Sequence, residues 1–301
     1  MTSRAPYRAV GIAMAVAGVV CFSLRPILIK LAYGYVVDPI TLLALRMIFS
    51  LPFFLAAAAW VGRDAKHPPL GRRDAWAIVM LGFVGYYFAS FVDFLGLQYI
   101  SAGLGRLILF MYPTLVVLLS MAFLHKRPTA REVVALAVTY AGVALVMANA
   151  AQGANKNLVL GAALCFASAA GYAVYLVAGS QVVQRVGSMR FTAYATSVAS
   201  AFCILQFLLL RPLAALNMPP QVYGLAIAMA LVSTVLPVFI TTEALRRIGA
   251  NEVALFGALG PVTTLFFGWM GLDESMTPVQ LAGAALVLAG VVLVTLKAAK
   301  A

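Results

Sequence analysis

Charge is scarce in this chain. Only 10% of its 301 residues are charged, where about 25% is usual for soluble domains. Acid is the scarcer sign, with nine Asp and Glu against 21 Lys and Arg. So few ionic side chains could not cover a soluble surface, which excludes the water-soluble classes. Histidine is limited to His67 and His125, both read as cytoplasmic-loop residues. No HExxH, Cys/His cluster or Ser–His arrangement can be assembled within the apolar stretches, so no metal and no cofactor is expected. An enzyme would have to work with Asp93, Glu243 and arginines alone, and the chain reads as a non-enzyme. It also lacks a GxxxxGK[ST] loop, so it does not itself hydrolyse nucleotide. Cys21, Cys165 and Cys203 all fall inside apolar runs, where they read as small buried hydrophobes and not as a disulfide framework.

What the chain does have is apolar length: 64% of its residues are hydrophobic. Polar breaks divide it into ten runs, approximately 9–32, 41–62, 75–97, 102–124, 131–149, 158–180, 190–211, 221–245, 252–272 and 278–297. The runs are long and do not alternate polar with apolar, so they read as membrane helices and not barrel strands. Turn chemistry marks the breaks at Asp38-Pro39, Pro68-Pro69, Arg127-Pro128, Pro219-Pro220 and Thr277-Pro278. At about 20 residues per span, ten spans use roughly 200 residues and leave no room for a soluble domain. Arg4 and Arg8 ahead of an apolar stretch imitate a signal peptide, but that stretch continues into Arg25-Pro26 and reads as a retained first helix.

The basic excess is distributed by side. The amino terminus, the even-numbered connections and the carboxyl terminus hold Arg4, Arg8, Arg63, Lys66, Arg72, Arg73, Lys126, Arg127, Arg131, Arg185, Arg190, Arg246, Arg247, Lys297 and Lys300, fifteen in all. The odd-numbered connections hold only Lys30, Lys156 and Arg211. Short loops obey the positive-inside rule, so both termini are expected in the cytoplasm, with the protein in the cell inner (plasma) membrane. The net charge of +12 is then a topology signal and not a nucleic-acid footprint.

The halves 1–150 and 151–301 are related. A shift of 148 residues aligns Leu97–Val146 with Leu245–Val294 without a gap and makes thirteen of 50 positions identical, among them Pro113/Pro261, Thr129/Thr277 and Gly142/Gly290. Five spans per half is an odd number, so the two copies enter the membrane from opposite sides, the architecture of carriers that alternate access around a midplane site. The expected fold class is an all-α integral membrane protein of ten transmembrane helices in two inverted five-helix repeats. The residues that carry the repeat are Ser101-Ala102, Pro113, His125 through Thr129 and Ala141-Gly142-Val143, then Gly249-Ala250, Pro261, Asp273 through Pro278 and Ala289-Gly290-Val291. This pattern resembles the EamA repeat, and two copies resemble the drug/metabolite transporter superfamily over almost the whole chain. The resemblance implies a permease that exports amino acids or other metabolites, or moves drugs, nucleotide sugars or sugar phosphates. The superfamily's small multidrug branch uses a Glu in its first helix to bind cations; here that helix has no acid and offers Arg25 instead, which argues against a lipophilic-cation pump.

Ionisable groups at membrane depth are costly and mark functional sites. Arg25, Arg46, Asp93 and Arg106, from the first four spans, are expected at one depth in the outer half. Either they form a basic cavity for an anionic or zwitterionic substrate, with arginine forks gripping a carboxylate or phosphate, or Arg46 and Arg106 snorkel to the outer headgroups and Arg25–Asp93 is a structural ion pair. Lys30 reads as an outer-end anchor. Glu243 is either the partner of Arg246 and Arg247 or an inner-gate residue. Tyr86, Ser90 and Asp93 share one helix face, and with Tyr112, Tyr172 and Tyr175 they suggest a wet wall, the alternative being packing or an interfacial belt. Pro113 and Pro261 are candidate hinges. The expected function is a secondary transporter, an exporter, of small organic metabolites by alternating access. Amino acids or related carboxylate-bearing compounds come first as substrates. A drug or cation efflux carrier and a non-transporting scaffold subunit are the alternatives. The expected partners are the substrate and the lipid bilayer, with no nucleic acid; proton coupling, if used, would run through Asp93. The oligomeric state is left open.

Overall fold

The computed structural model describes residues 4–62, 70–124, 129–151, 157–274 and 277–298. His67, His125, Arg63, Lys66, Lys126, Arg127, Lys156, Lys300 and the proline breaks at 68–69 and 127–128 lie outside them. Fourteen α-helices follow one another: α1 Arg4–Ser23, α2 Arg25–Tyr33, α3 Pro39–Gly62, α4 Arg72–Gly82, α5 Ala89–Gly96, α6 Ala102–Leu109, α7 Tyr112–Leu124, α8 Ala130–Ala151, α9 Leu158–Val186, α10 Ser188–Leu210, α11 Pro220–Ala230, α12 Leu236–Gly257, α13 Gly260–Leu272 and α14 Pro278–Ala298. Among the described residues there is no strand. Eight helical stretches are long and apolar enough to cross a membrane, and Pro278–Leu293 is a shorter apolar helix. The protein is therefore a multi-pass, all-helical membrane protein.

Local chemistry explains where the helices start. Proline occupies the first turn of α2, α11 and α13, where its missing N–H costs nothing and its fixed φ suits the helix. Two reciprocal caps open α8 and α14. Thr129 N–H donates to Glu132 at 2.7 Å while Glu132 N–H donates back to the Thr129 hydroxyl at 3.4 Å. Thr277 N–H donates to Gln280 at 3.1 Å, and Gln280 N–H to the Thr277 hydroxyl at 3.2 Å. Each satisfies two donors that a helix start leaves open. Thr129 and Thr277 are 148 residues apart, so their identity across the repeat has a structural reason.

The irregularities also keep the 148-residue spacing. One π-helical turn spans Phe83–Phe88 between α4 and α5, and another spans Leu231–Val235 between α11 and α12. The breaks between α6 and α7, at Phe110-Met111, and between α12 and α13, at Ala258-Leu259, are spaced likewise. Pro113 and Pro261 stand just inside the helices that resume, because a proline ring excludes the carbonyl four residues back. A third break, at Leu24, separates α1 from α2; α9 has no such break. One connection expected from the sequence is helical instead: α12 continues through 246–251, where no proline interrupts it.

Helices pair across the halves. α1 packs on α12 as α5 and its preceding π turn pack on α9; α3 pairs with α10, α6 with α13 and α8 with α14. The last pair crosses at backbone contact. A Cβ on Gly142 would lie 2.7 Å from the Gly283 carbonyl, and one on Gly290 would lie 2.7 Å from that of Ala135. Gly142/Gly290 and Ala135/Gly283 are each 148 apart. Small residues permit this approach in a lipid-embedded pair.

Candidate functional site

A cavity of about 300 Å³ lies among these helices. Its walls come from both halves: Ala15, Val19 and Phe22 of α1; Arg46 and Phe54 of α3; Tyr86 and Ser90; Tyr112; then Tyr172, Thr196, Ser233, Thr234, Thr241 and Val253. Arg25 and Arg106 line it as well. From Ala15 to Arg25 the wall follows ten residues, about 15 Å at 1.5 Å per residue. All three arginines gather at one end of that length. Towards the other end the described walls are apolar or hydroxylic.

The chain breaks shape the basic end. Leu24 interrupts the first span immediately before Arg25, and Ser23 ties this break to the α13 start. The Ser23 hydroxyl donates to the Gly260 carbonyl at 3.1 Å, and the Thr264 hydroxyl donates to the Ser23 carbonyl at 3.2 Å. Gly260 needs its lack of a side chain. A Cβ there would stand 2.9 Å from the Phe110 ring and 3.3 Å from an Arg106 guanidinium nitrogen.

Arg25 approaches Asp93 at 3.5 Å. Arg46 donates to the Ser90 hydroxyl at 3.1 Å and lies 5.0 Å from the centre of the Phe94 ring. Arg106 lies 5.2 Å from the Phe110 ring centre and has no hydrogen-bond or ion-pair partner among the described residues. The Nε atom of each of these three arginines is buried without an acceptor. Arg46 is 1% exposed and Arg106 9%, so both side chains turn into the protein, against the chamber. Asp93 faces a recess of about 10 Å³ beside the main chamber, formed with Arg25, Pro26, Leu97, Gly105 and Arg106.

The tyrosines form a connected wall. Tyr86 meets Tyr175 at 5.0 Å between ring centres, Tyr112 meets Tyr172 at 5.1 Å, and Tyr172 meets Tyr175 at 6.0 Å. Tyr86, Tyr112 and Tyr172 line the chamber. Tyr175 stands behind them, 6% exposed and stacked on Phe191. Pro113 and Pro261 flank the breaks without lining the cavity. Glu243 is also outside it, accepting from Arg246 at 2.9 and 2.7 Å and from Arg247 at 2.7 Å, the pairing that one of its two readings expects. Lys30 is half-buried in the last turn of α2.

Three contacts join the helices beyond the arginine end. The Tyr33 hydroxyl donates to the Phe94 carbonyl at 2.6 Å. Glu274 accepts from Ala102 N–H at 2.7 Å and Gly103 N–H at 3.1 Å at the α6 amino terminus. Arg211 pairs with Asp38 at 3.0 Å. Partial burial works against ionisation of Asp38, but hydrogen bonds from Thr41 and Arg211 outweigh it and hold the carboxyl below its ordinary range.

The sequence reading missed Ser168, Thr196, Ser233 and Thr234 as lining residues. Hydroxyls that bond their own helix backbone, as Ser233 and Thr234 both do to the Met229 carbonyl at 2.9 Å, look like ordinary membrane-helix residues. The 148-residue shift carries the missing signal: it takes Gly85, Tyr86, Ser90 and Leu109 to Ser233, Thr234, Val238 and Gly257, and all eight line the cavity.

Comparison with known proteins agrees with this architecture. The model of the EamA-like transporter family matches residues 9–148 and again 159–296. The chain is 29% identical over 279 residues to the uncharacterized transporter YcbK of Bacillus subtilis (strain 168), covering 88% of this chain and 86% of that one. It is 24% identical over 252 residues to the uncharacterized transporter sll1319 of Synechocystis, covering 82% and 76% respectively. A solved crystal structure matches 99% of both chains with a TM-score of 0.66 at 20% identity, a likeness of fold.

Proposed function

The chain belongs to the EamA-like transporter family, and from that premise we propose that it is a secondary transporter of the inner (plasma) membrane. It moves a small organic metabolite bearing a carboxylate, amino acids and their relatives being the first class to test, by alternating access, in the direction of export. Ten spans in two inverted five-helix repeats, with both termini cytoplasmic, form the scaffold. The paired π turns and helix breaks, the crossed pairing of halves and the one-sided basic residues support that arrangement. On this orientation the arginine end faces outward and is closed, and the chamber extends towards the cytoplasm.

One observation carries the substrate reading. Arg106 is buried, lines the chamber and has no hydrogen-bond or ion-pair partner among the described residues. An unpaired guanidinium at membrane depth is expensive, and a carboxylate arriving from the chamber would supply two parallel charge-assisted hydrogen bonds. Arg46 stands ready as a second donor. Substrate neutralises the end wall, and the outer contacts then have a lower barrier to release. Efflux of cationic drugs finds less support, since no carboxylate is among the described residues of the main chamber. A scaffold subunit would not need three buried arginines around a cavity.

Arg106→Ala tests the reading in cells. Efflux of the carboxylate substrate from preloaded cells should fall by about 10²-fold at unchanged membrane abundance, as for loss of a charge-assisted pair of about 3 kcal/mol. Undiminished efflux would sink the assignment.

A further inference from the structure

The reading above asks only for a carboxylate; the charges around the chamber ask for more. Resting on that reading, we infer that the substrate is a dianion, with both negative charges at one end and an apolar or aromatic body. Arg25, Arg46 and Arg106 meet one carboxylate, Asp93, and no other acid is among the described residues of the chamber or its recess. One carboxylate cannot neutralise three guanidinium groups, so two positive charges stay uncompensated whichever arginine Asp93 pairs with. A low-dielectric site of that charge is stabilised most by two negative charges. A zwitterion leaves the excess in place, because its ammonium adds a cation beside those it would neutralise.

Donor geometry agrees with the charge count. Asp93 and the Ser90 hydroxyl are the described acceptors for these guanidinium groups, and Arg106 has neither. The idle donors sit at the end of the chamber, so two acceptor groups close together can be met at once. Along the remaining wall stand Phe22, Tyr86, Tyr112 and Tyr172, which suit a ring or short apolar body and offer no second anion site. A dicarboxylate and a phosphate monoester share this chemistry.

Four probes with one ring and different head groups test it on the full-length protein in detergent at fixed chloride: phenylsuccinate, phenyl phosphate, 3-phenylpropionate and phenylalanine. A ligand of the folded state raises Tm by an amount that grows with the logarithm of its concentration over Kd. At least one of the two dianions should give the same Tm shift at a concentration about tenfold lower than 3-phenylpropionate or phenylalanine, and the better of the two names the head group. Arg106→Gln should erase that preference, Arg106→Lys should keep it, and Arg185→Gln, at the exposed pair with Asp74 away from the chamber, should leave it unchanged. If neither dianion stabilises the protein more than 3-phenylpropionate at equal concentration, or if phenylalanine stabilises it more than both, the dianion is overturned while a carboxylate carrier remains. Stabilisation by cationic dyes with no response to any of the four probes would remove the carboxylate reading as well.

Discussion

At the residue scale, the sequence exposed its ionisable groups because membrane helices have few. Arg25, Arg46, Asp93 and Arg106 could be picked out by type alone, and the structure gathers them around one chamber and its recess. Their orientation was not legible. Whether a long side chain snorkels or turns inward depends on which neighbour covers its helix face, and for Arg46 that neighbour is the Phe94 ring. The Arg25–Asp93 pair sits between water and protein, with Arg25 19% and Asp93 6% exposed at the side chain. Breaking a fully enclosed pair costs about 3–5 kcal/mol; here the partial exposure of Arg25 reduces the effect to on the order of 2 kcal/mol. Asp93→Asn should lower thermal stability accordingly, and Arg25→Gln in the same molecule should restore part of it. A double variant no more stable than Asp93→Asn in a calorimetric scan would mean that the two side chains are not coupled.

Elements were easier to read where the backbone is regular than where it departs from α-helix. Apolar length marks the spans, and Thr129-x-x-Glu132 and Thr277-x-x-Gln280 carry their caps in plain view. The π turns at Phe83–Phe88 and Leu231–Val235 left no comparable mark. In the second, Pro237 follows two residues later and the Ser233 and Thr234 hydroxyls compete for the Met229 carbonyl; in the first, Ala89 occupies the place matching Pro237, and the structure offers no single residue as its cause. The caps make an element-scale prediction. Thr129→Ala and Thr277→Ala should each cost about 1 kcal/mol, the usual loss for a removed N-cap, with transport retained. Urea or thermal unfolding in detergent measures the cost. A neutral result at both positions would show that tertiary packing of α8 on α14, through Gly142 and Gly290, holds these helix starts without the caps.

For the whole molecule, the repeat predicts two ends of like construction, and the side chains make them unlike. Glu274 reaches from beyond α13 to the α6 amino terminus and accepts from two backbone amides. A carboxylate there is favoured both by the open donors and by the positive end of the helix dipole. The residue 148 positions earlier is Lys126, which cannot accept a hydrogen bond, so sequence symmetry supplies no matching latch for the opposite end. An alternating-access protein whose two closures differ in strength rests with the stronger one shut. On the proposed cycle that is the arginine end, where Glu274, Tyr33 on Phe94 and the Asp38–Arg211 clasp hold the helices together. Glu274→Gln keeps the shape but replaces two charge-assisted bonds with weaker neutral ones, a change of about 1 kcal/mol, and so should raise the population open at this end about fivefold. The measurement is labelling of Ala89→Cys, on the chamber wall, by a membrane-impermeant maleimide added from outside, in a chain whose Cys21, Cys165 and Cys203 have been replaced. Faster labelling in the Glu274→Gln background means that the latch sets the resting state; an unchanged rate would assign that role to the Tyr33 and Asp38 contacts, and combining Glu274→Gln with Arg211→Gln would then expose it.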